Sequence, residues 1–214
     1  MPRSVPEFIA AHTRTVPVPF LPELLLYQAD EPIGLWELTE GEYHSESPPP
    51  FWAFAWAGGQ GLARYLLDHP DVVAGRTVLD LASGSGLVAV AAARAGAAAV
   101  RAVDVDPVAA AAIGLNAAAN AVGVLPDVAD ILDQRPDGAA VVLAGDAFYS
   151  RDMAARMLLY LRRCRRAGAR VLVGDPGRAY FPAAGFTRLA RYEVPAPVAL
   201  EDAAVKPTTV WELV

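Results

Sequence analysis

Residues 77–86 read Thr-Val-Leu-Asp-Leu-Ala-Ser-Gly-Ser-Gly, and a second apolar run, Val100-Arg101-Ala102-Val103, ends on Asp104. A strand that closes on a carboxylate, a glycine turn that opens a helix, and a second strand that closes on another carboxylate form a βαβ unit with a nucleoside site at its crest. The glycines let the backbone approach a ligand closely, and the second carboxylate is placed to hold both hydroxyls of a ribose.

The surrounding chain fits this unit. Helical periodicity runs from Gly58 to Asp68, with Leu62, Tyr65 and Leu66 on one face. It is followed by strand 77–81, helix 86–95, strand 99–103 and a helix that starts at Pro107, for which Asp106 serves as N-cap. A weak strand at 124–129, a buried strand at 141–143, a helix at 152–165 and a strand at 170–173 continue the alternation, and runs 186–194 and 208–213 suit a closing antiparallel hairpin. Strands alternating with helices predict an α/β, doubly wound, mostly parallel sheet whose ligands lie outside the carboxyl ends of its strands. The first 50 residues are less regular: a short helix at 6–12, extended runs at 15–18, 23–28 and 33–38, and a Ser/Pro loop ending in Pro48-Pro49-Pro50. We read residues 1–50 as an N-terminal extension that covers the site and 51–214 as the catalytic domain.

Two cofactors compete for the glycine turn. Gly84-x-Gly86-x-x-Ala89 satisfies the permissive dinucleotide pattern, which admits NAD. Asp80 argues otherwise, because a carboxylate just ahead of the glycines repels a pyrophosphate and attracts the ammonium group of S-adenosylmethionine (SAM). The bland alternative, in which Asp80 caps the next helix and the glycines only turn the chain, leaves Asp104 without a role.

Composition excludes several other classes. The net charge of −6 over 214 residues argues against a nucleic-acid-binding face. Arg156, Arg162, Arg163, Arg165, Arg166 and Arg170 crowd one helix and its end, a pattern expected of a solvated helix with cations toward its C-terminus. Cys164, the single cysteine, is expected to be an ordinary surface thiol, so no disulfide is predicted. His12, His44 and His69 lack ligand spacing, so no metal is predicted either. The charge-free run 81–93 is too short for a bilayer, and Pro2, Pro6, Pro17, Pro19 and Pro22 break any N-terminal signal, which predicts a cytoplasmic protein without a membrane partner.

After the fourth strand of the alternation comes Gly145-Asp146-Ala147-Phe148-Tyr149, a carboxylate and two aromatics where a substrate would meet the cofactor. Methyl transfer from a sulfonium needs a nucleophile held in line and stripped of water. A lysine nucleophile must also lose a proton, at a cost of roughly 4 kcal/mol at neutral pH for an amine of pKa near 10.4. Asp146 as hydrogen-bond acceptor, Tyr149 positioning the nitrogen and the aromatic faces around the product cation meet that demand. The N-P-P-Y and D-P-P-Y tetrapeptides that suit amide or exocyclic amine methylation do not occur at this strand end, which favours lysine.

These segments, together with Phe51 through Gln60, residues 63–73, Asp104-Val105-Asp106-Pro107, Gly174-Asp175-Pro176-Gly177-Arg178 and Val210-Trp211, resemble the seven-β-strand protein lysine methyltransferases, in particular those of the electron-transfer flavoprotein β subunit and their bacterial relatives. The resemblance covers residues 5–214 and implies a seven-stranded, Rossmann-like class I SAM-dependent methyltransferase acting on a lysine of a protein substrate, as a monomer or weak oligomer. It implies that Asp80, Ser83 and Gly84 hold the methionine part of SAM within a turn that includes Ala82 and Gly86, that Gly145 after the fourth strand also lines the cofactor site, that Asp104 holds the ribose, that Asp130 lies near the adenine amino group, and that Trp56 closes over the cofactor. Asp146, Phe148 and Tyr149 form the implied catalytic set. Ala55 and Ala57 stand where the family has bulkier residues, and Ser150-Arg151 where it is more acidic. Phe51, Trp52 and Phe54 are read either as a hydrophobic lid packed on the first helix or as direct substrate contacts. A small-molecule N-methyltransferase and a catalytically idle nucleotide-binding scaffold, docking a partner through the arginine-rich helix, are the competing functions.

Overall fold

In a computed structural model that describes residues 4–30, 49–196 and 204–214, the chain opens with helix α1 (Val5–His12) and an antiparallel hairpin of β1 (Arg14–Val18) and β2 (Leu21–Gln28). After a single 3-10 turn at Phe51–Ala53 follow α2 (Ala57–Asp68), β3 (Thr77–Leu81), α3 (Leu87–Arg94), β4 (Ala99–Asp104), α4 (Pro107–Ala119), β5 (Leu125–Val128), β6 (Val141–Gly145), α5 (Arg151–Arg166), β7 (Arg170–Asp175), β8 (Phe186–Pro195) and β9 (Val205–Leu213). The extended run expected at 33–38, the Ser/Pro loop through Pro48 and His44 lie outside the described residues.

Strands β3 to β9 form one sheet in the order β5-β4-β3-β6-β7-β9-β8, parallel except where β9 runs against β7 and β8. The reversal of strand order falls between β3 and β6, which opens a crevice at their carboxyl ends. The central strands β3, β6 and β7 are buried on both faces, being apolar along nearly their whole length. On one face Leu79, Leu81, Val142 and Val173 pack with Met157, Tyr160 and Leu161 of α5. On the other, Val78, Val100, Leu143 and Leu172 pack with Leu62 and Leu66 of α2 and Val88, Ala89 and Ala92 of α3. Asp106 caps α4 as expected, its carboxylate accepting the Val108 amide at 2.8 Å.

Two expectations are corrected. Cys164 is buried at 2% exposure on the inner face of α5, and burial pushes its thiol up to about 11, so it is an inert core residue. The arginines of α5 and of the strand start beyond it are only partly a solvated stripe: Arg156 pairs with Asp130 and Asp133, Arg163 donates to the Leu132 carbonyl and lies over the Tyr160 ring, and Arg170, the first residue of β7, forks onto Glu212. The described part of the N-terminal extension is built into the domain. Its hairpin lies along α4, where Asn120 exchanges two hydrogen bonds with the Leu25 backbone (2.9 and 2.6 Å) and Asn116 accepts the Tyr27 amide (2.8 Å) while donating to the Ser85 carbonyl (2.7 Å). Phe8 and Ile9 of α1 are wholly buried with Trp52, Phe54, Ala109 and Ala112.

Asn116 is fully buried and both its polar atoms are engaged. Asn116→Ala leaves two backbone groups unpaired and is expected to lower unfolding stability by about 2–4 kcal/mol, read as a shift of the urea midpoint.

Candidate active site

A cavity of about 470 Å³ opens at the carboxyl ends of β3, β4 and β6, within the range of small-ligand sites. It draws together Trp56, Asp80, Ala82, Ser83, Gly84, Asp104, Asp130, Gly145, Asp146 and Tyr149. Gly86 lies one residue beyond this wall: it takes a left-handed φ of +78° as the N-cap of α3 and packs against Ile113, which a Cβ would meet at 3.0 Å.

Asp80 ends β3 in near-complete burial, with its Oδ2 accepting the Ser83 hydroxyl at 2.5 Å. Burial is the main cause that raises its carboxyl to about 7, and Asp104 adds to it. The N-cap position of α3 is held by Gly86, and Asp80 accepts a hydrogen bond from the Ala89 amide in the first turn of that helix. Asp104 sits one strand over and is partly exposed; its Oδ2 accepts the Gly84 amide (2.8 Å) and its Oδ1 the Asp106 amide (3.0 Å). These bonds tie the glycine turn to the end of β4. The cavity therefore presents the carboxylates of Asp80 and Asp104 together with apolar side chains, among them Leu132, Met153 and Met157. Such a set suits a ligand that carries a cation, a diol and a flat apolar ring.

The opposite wall rests on glycines. The first turn of α2 lies directly on the ends of β6 and β7: a Cβ on Gly58 would meet Gly174 O at 2.4 Å, and one on Gly174 would meet Gly58 O at 2.1 Å. Asp146 follows β6 in a left-handed conformation, φ +55°, a position where aspartate is one of the few tolerated side chains. Its Oδ2 then accepts the Gly59 amide at the N-terminus of α2 (2.9 Å), and its Oδ1 accepts Arg178 Nη2 (2.7 Å) and Nε (3.2 Å). Arg178 also lies over the Trp56 ring, 5.8 Å from its centroid. The turn that carries it is closed by Asp175, whose Oδ1 accepts both the Gly177 (2.7 Å) and Arg178 (2.8 Å) amides. Asp175 is 1% exposed, its Oδ2 has no hydrogen-bond partner among the described residues, and desolvation pushes its carboxyl up to about 6.

Aromatic rings frame the mouth. Trp56 donates its indole N–H to the Phe51 carbonyl (2.9 Å), and the Phe51 ring stands between Trp56 and Tyr149, with centroids 5.8 and 5.6 Å away. Tyr149 is about half exposed; desolvation and then Asp104 raise its phenol. Phe148 is fully buried below this rim, edge-on to Phe181, and is not among the residues lining the cavity. The Phe51-Trp52-Ala53-Phe54 segment divides likewise: Phe51 faces the cleft, while Phe54 belongs to the core and Trp52, 2% exposed, reaches the cavity from it. Asp130 stands exposed at the far end, both oxygens held by Arg156 at 2.9 Å. Ser150 caps α5 by accepting the Met153 amide, which accounts for a small polar residue at that position.

Sequence reasoning missed Gly59, Arg156 and Arg178 as residues of this cleft. Arg178 was within reach, since it closes the Gly174-Asp175-Pro176-Gly177-Arg178 segment at a strand end. Arg156 was hidden among its neighbours, because nothing local separates the arginine that turns inward from those that face solvent.

The sequence pattern of the ribosomal protein L11 methyltransferase (PrmA) family matches residues 64–144. Among solved structures, the fold is similar to the ribosomal protein L11 methylase of Lactobacillus delbrueckii subsp. bulgaricus (TM-score 0.51, 18% identity, 75% of this chain and 80% of that one). It is equally similar to magnesium protoporphyrin IX methyltransferase of Synechocystis (TM-score 0.53, 13% identity, 73% and 78%). Sheet order, glycine turn and crevice are those of a class I SAM-dependent methyltransferase. Curated relatives are nearer in sequence. The electron transfer flavoprotein beta subunit lysine methyltransferase of Rattus norvegicus is 43% identical over 76% of this chain, and that of Xenopus laevis 38% identical over 98% of this chain and 86% of its own length. The chain spans 66% of the length of the rat protein. It belongs to the family of electron transfer flavoprotein beta subunit lysine methyltransferases.

The buried carboxylates fix how stability follows pH. Asp80 and Asp175 titrate at about 7 and about 6 in the folded chain, above the ordinary 3.8, so the folded state binds protons that the unfolded state has released. Stability without cofactor is then expected to fall as pH rises from about 4 to the folded values of about 6 and 7 and to level off above them, with the cost of Asp175 reaching about 3 kcal/mol. Asp175→Asn keeps the Oδ1 acceptor and removes the charge. In thermal melts it should gain several degrees over wild type at pH 7.5, about half of that at pH 5 and little near pH 4.

Proposed function

We propose that this protein transfers a methyl group from SAM to lysine side chains of the electron-transfer flavoprotein β subunit. The carrying observation is the carboxylate of Asp146, fixed at the cleft mouth beside Tyr149 and Phe51. A protein substrate fits a mouth with exposed aromatic rims, and the names of the curated relatives support this particular one. A cytoplasmic location and a monomeric or weakly oligomeric state complete the reading.

SAM supplies a methyl on a sulfonium, which departs readily once a nucleophile is aligned. Asp80 would take its methionine ammonium, with Ser83, Gly84, the neighbouring turn residues Ala82 and Gly86, and Gly145 at the end of β6 shaping the path. Asp104 would hold the ribose hydroxyls, Asp130 would reach the adenine amino group, and Trp56 would cover the sulfur side. Asp146 accepts a hydrogen bond from the incoming amine and so orients its lone pair. Tyr149 and Phe51 exclude water and offer ring faces to the cation that forms. Phe148 enters as support beneath Tyr149. The extension, whose described part is knit into the domain, contributes Pro49 next to the cleft through its last residues.

Asp80 makes cofactor binding depend on pH. Below about 7 it is protonated in the free protein and its pull on an ammonium group is lost. SAM affinity by calorimetry is expected to fall by about tenfold between pH 7.5 and 5.5, and Asp80→Asn to remove most of this dependence.

Labelled SAM offered to the purified enzyme with the flavoprotein β subunit should yield a labelled β subunit, and Asp146→Asn should lose about a hundredfold in transfer with SAM affinity largely kept. Label passing to small amines in the absence of protein acceptor, and not to the β subunit, would point to a small-molecule enzyme. Tight SAM binding without transfer to any acceptor would point to a scaffold.

A further inference from the structure

The orienting carboxylate creates a conflict. An anion beside an ammonium group stabilises the charged form, so Asp146 acting alone would hold the proton that a lysine must lose before it can attack. The cleft is rich in further anions: Asp80 on β3, Asp104 and Asp106 around the end of β4, Asp130 after β5 and Asp175 behind β7. Among the cations that line it, Arg156 is engaged by Asp130 and Asp133 at the far end, while Arg178 lies at the Asp146 end. Among the described residues Tyr149 is the remaining titratable group there, and its phenol is raised, hence neutral at neutral pH. Two donors of the Arg178 guanidinium share one oxygen of Asp146, and the first turn of α2 engages the other through Gly59.

We infer that Arg178 is a positioning residue for methyl transfer, acting through Asp146: it locks the carboxylate toward the cleft and offsets its charge, so that the substrate amine is oriented without being kept protonated. The inference rests on the lysine reading above. The Asp175 turn and the Trp56 ring hold the guanidinium in place, so its position is set by the fold and not by the substrate. A lysine cannot reproduce the two-donor grip, because its ammonium is a single point on a flexible stem.

The test compares wild type, Arg178→Gln and Arg178→Lys, using a peptide of the β subunit with a methylatable lysine and the same peptide in which that residue carries a sulfur in place of its γ-methylene, a less basic amine. For Arg178→Gln the apparent pKa in the kcat/KM profile is expected to move up by about one pH unit, with rate lost about tenfold at pH 7 and largely regained at pH 9. The less basic amine should restore most of the loss at pH 7, and SAM affinity should stay within about threefold of wild type. Arg178→Lys, which keeps the charge, should show a smaller shift. An unshifted profile with a uniformly lower rate, or a loss of SAM affinity that accounts for the defect, would overturn the inference while leaving lysine methylation intact. A wild-type enzyme that methylates neither peptide nor intact β subunit would overturn both.

Discussion

The backbone-on-backbone contact between the first turn of α2 and the ends of β6 and β7 is the constraint from which the site follows. Gly58 and Gly174 approach more closely than any side chain permits, and Gly145 adds a third tight contact, its Cβ position lying 2.8 Å from the Cα of Gly59. Because the helix start is pressed onto the strand ends, its free amides point at the turn that follows β6. Asp146, bent back by its left-handed backbone, meets one of them. The energy that the sheet gains from burying Leu62, Leu66 and Leu172 thus holds a charged group where hydration alone would not leave it.

Charge is arranged around that seam in two layers. Carboxylates at the ends of β3 and β4 face the cavity with hydroxyl and amide donors but, among the described residues, no ion-pair partner, and burial raises Asp80 well above the ordinary range. Carboxylates at the ends of β6 and β7 are instead knotted into guanidinium and amide donors. The first layer is thereby primed for a cationic ligand, the second for orientation without strong capture.

Much of this was legible in the chain. Strand 77–81 and Asp104 are unmistakable because the glycine turn requires a fixed backbone, and Asp106-Pro107 announces a helix by local chemistry alone. The places where reading failed share a cause: partners distant in sequence. Nothing adjacent to Cys164 marks it as inward-facing, nor Arg156 as the cation for Asp130, nor Trp52 as mainly core where Phe51 is rim. The described part of the extension likewise depends on distant partners. Its runs at 15–18 and 23–28 are extended as read, yet what makes them part of the domain is a pair of asparagines about 90 residues away.

One of those asparagines has a further consequence. Asn116 holds the Tyr27 amide with one atom and the Ser85 carbonyl of the glycine turn with the other, so the hairpin and the turn share a single buried hinge pin. Local opening of either end releases the other. A small molecule that quiets the turn therefore slows the breathing of the hairpin on the back of α4, and amide protons of β2 become remote reporters of occupancy across the thickness of the helix layer.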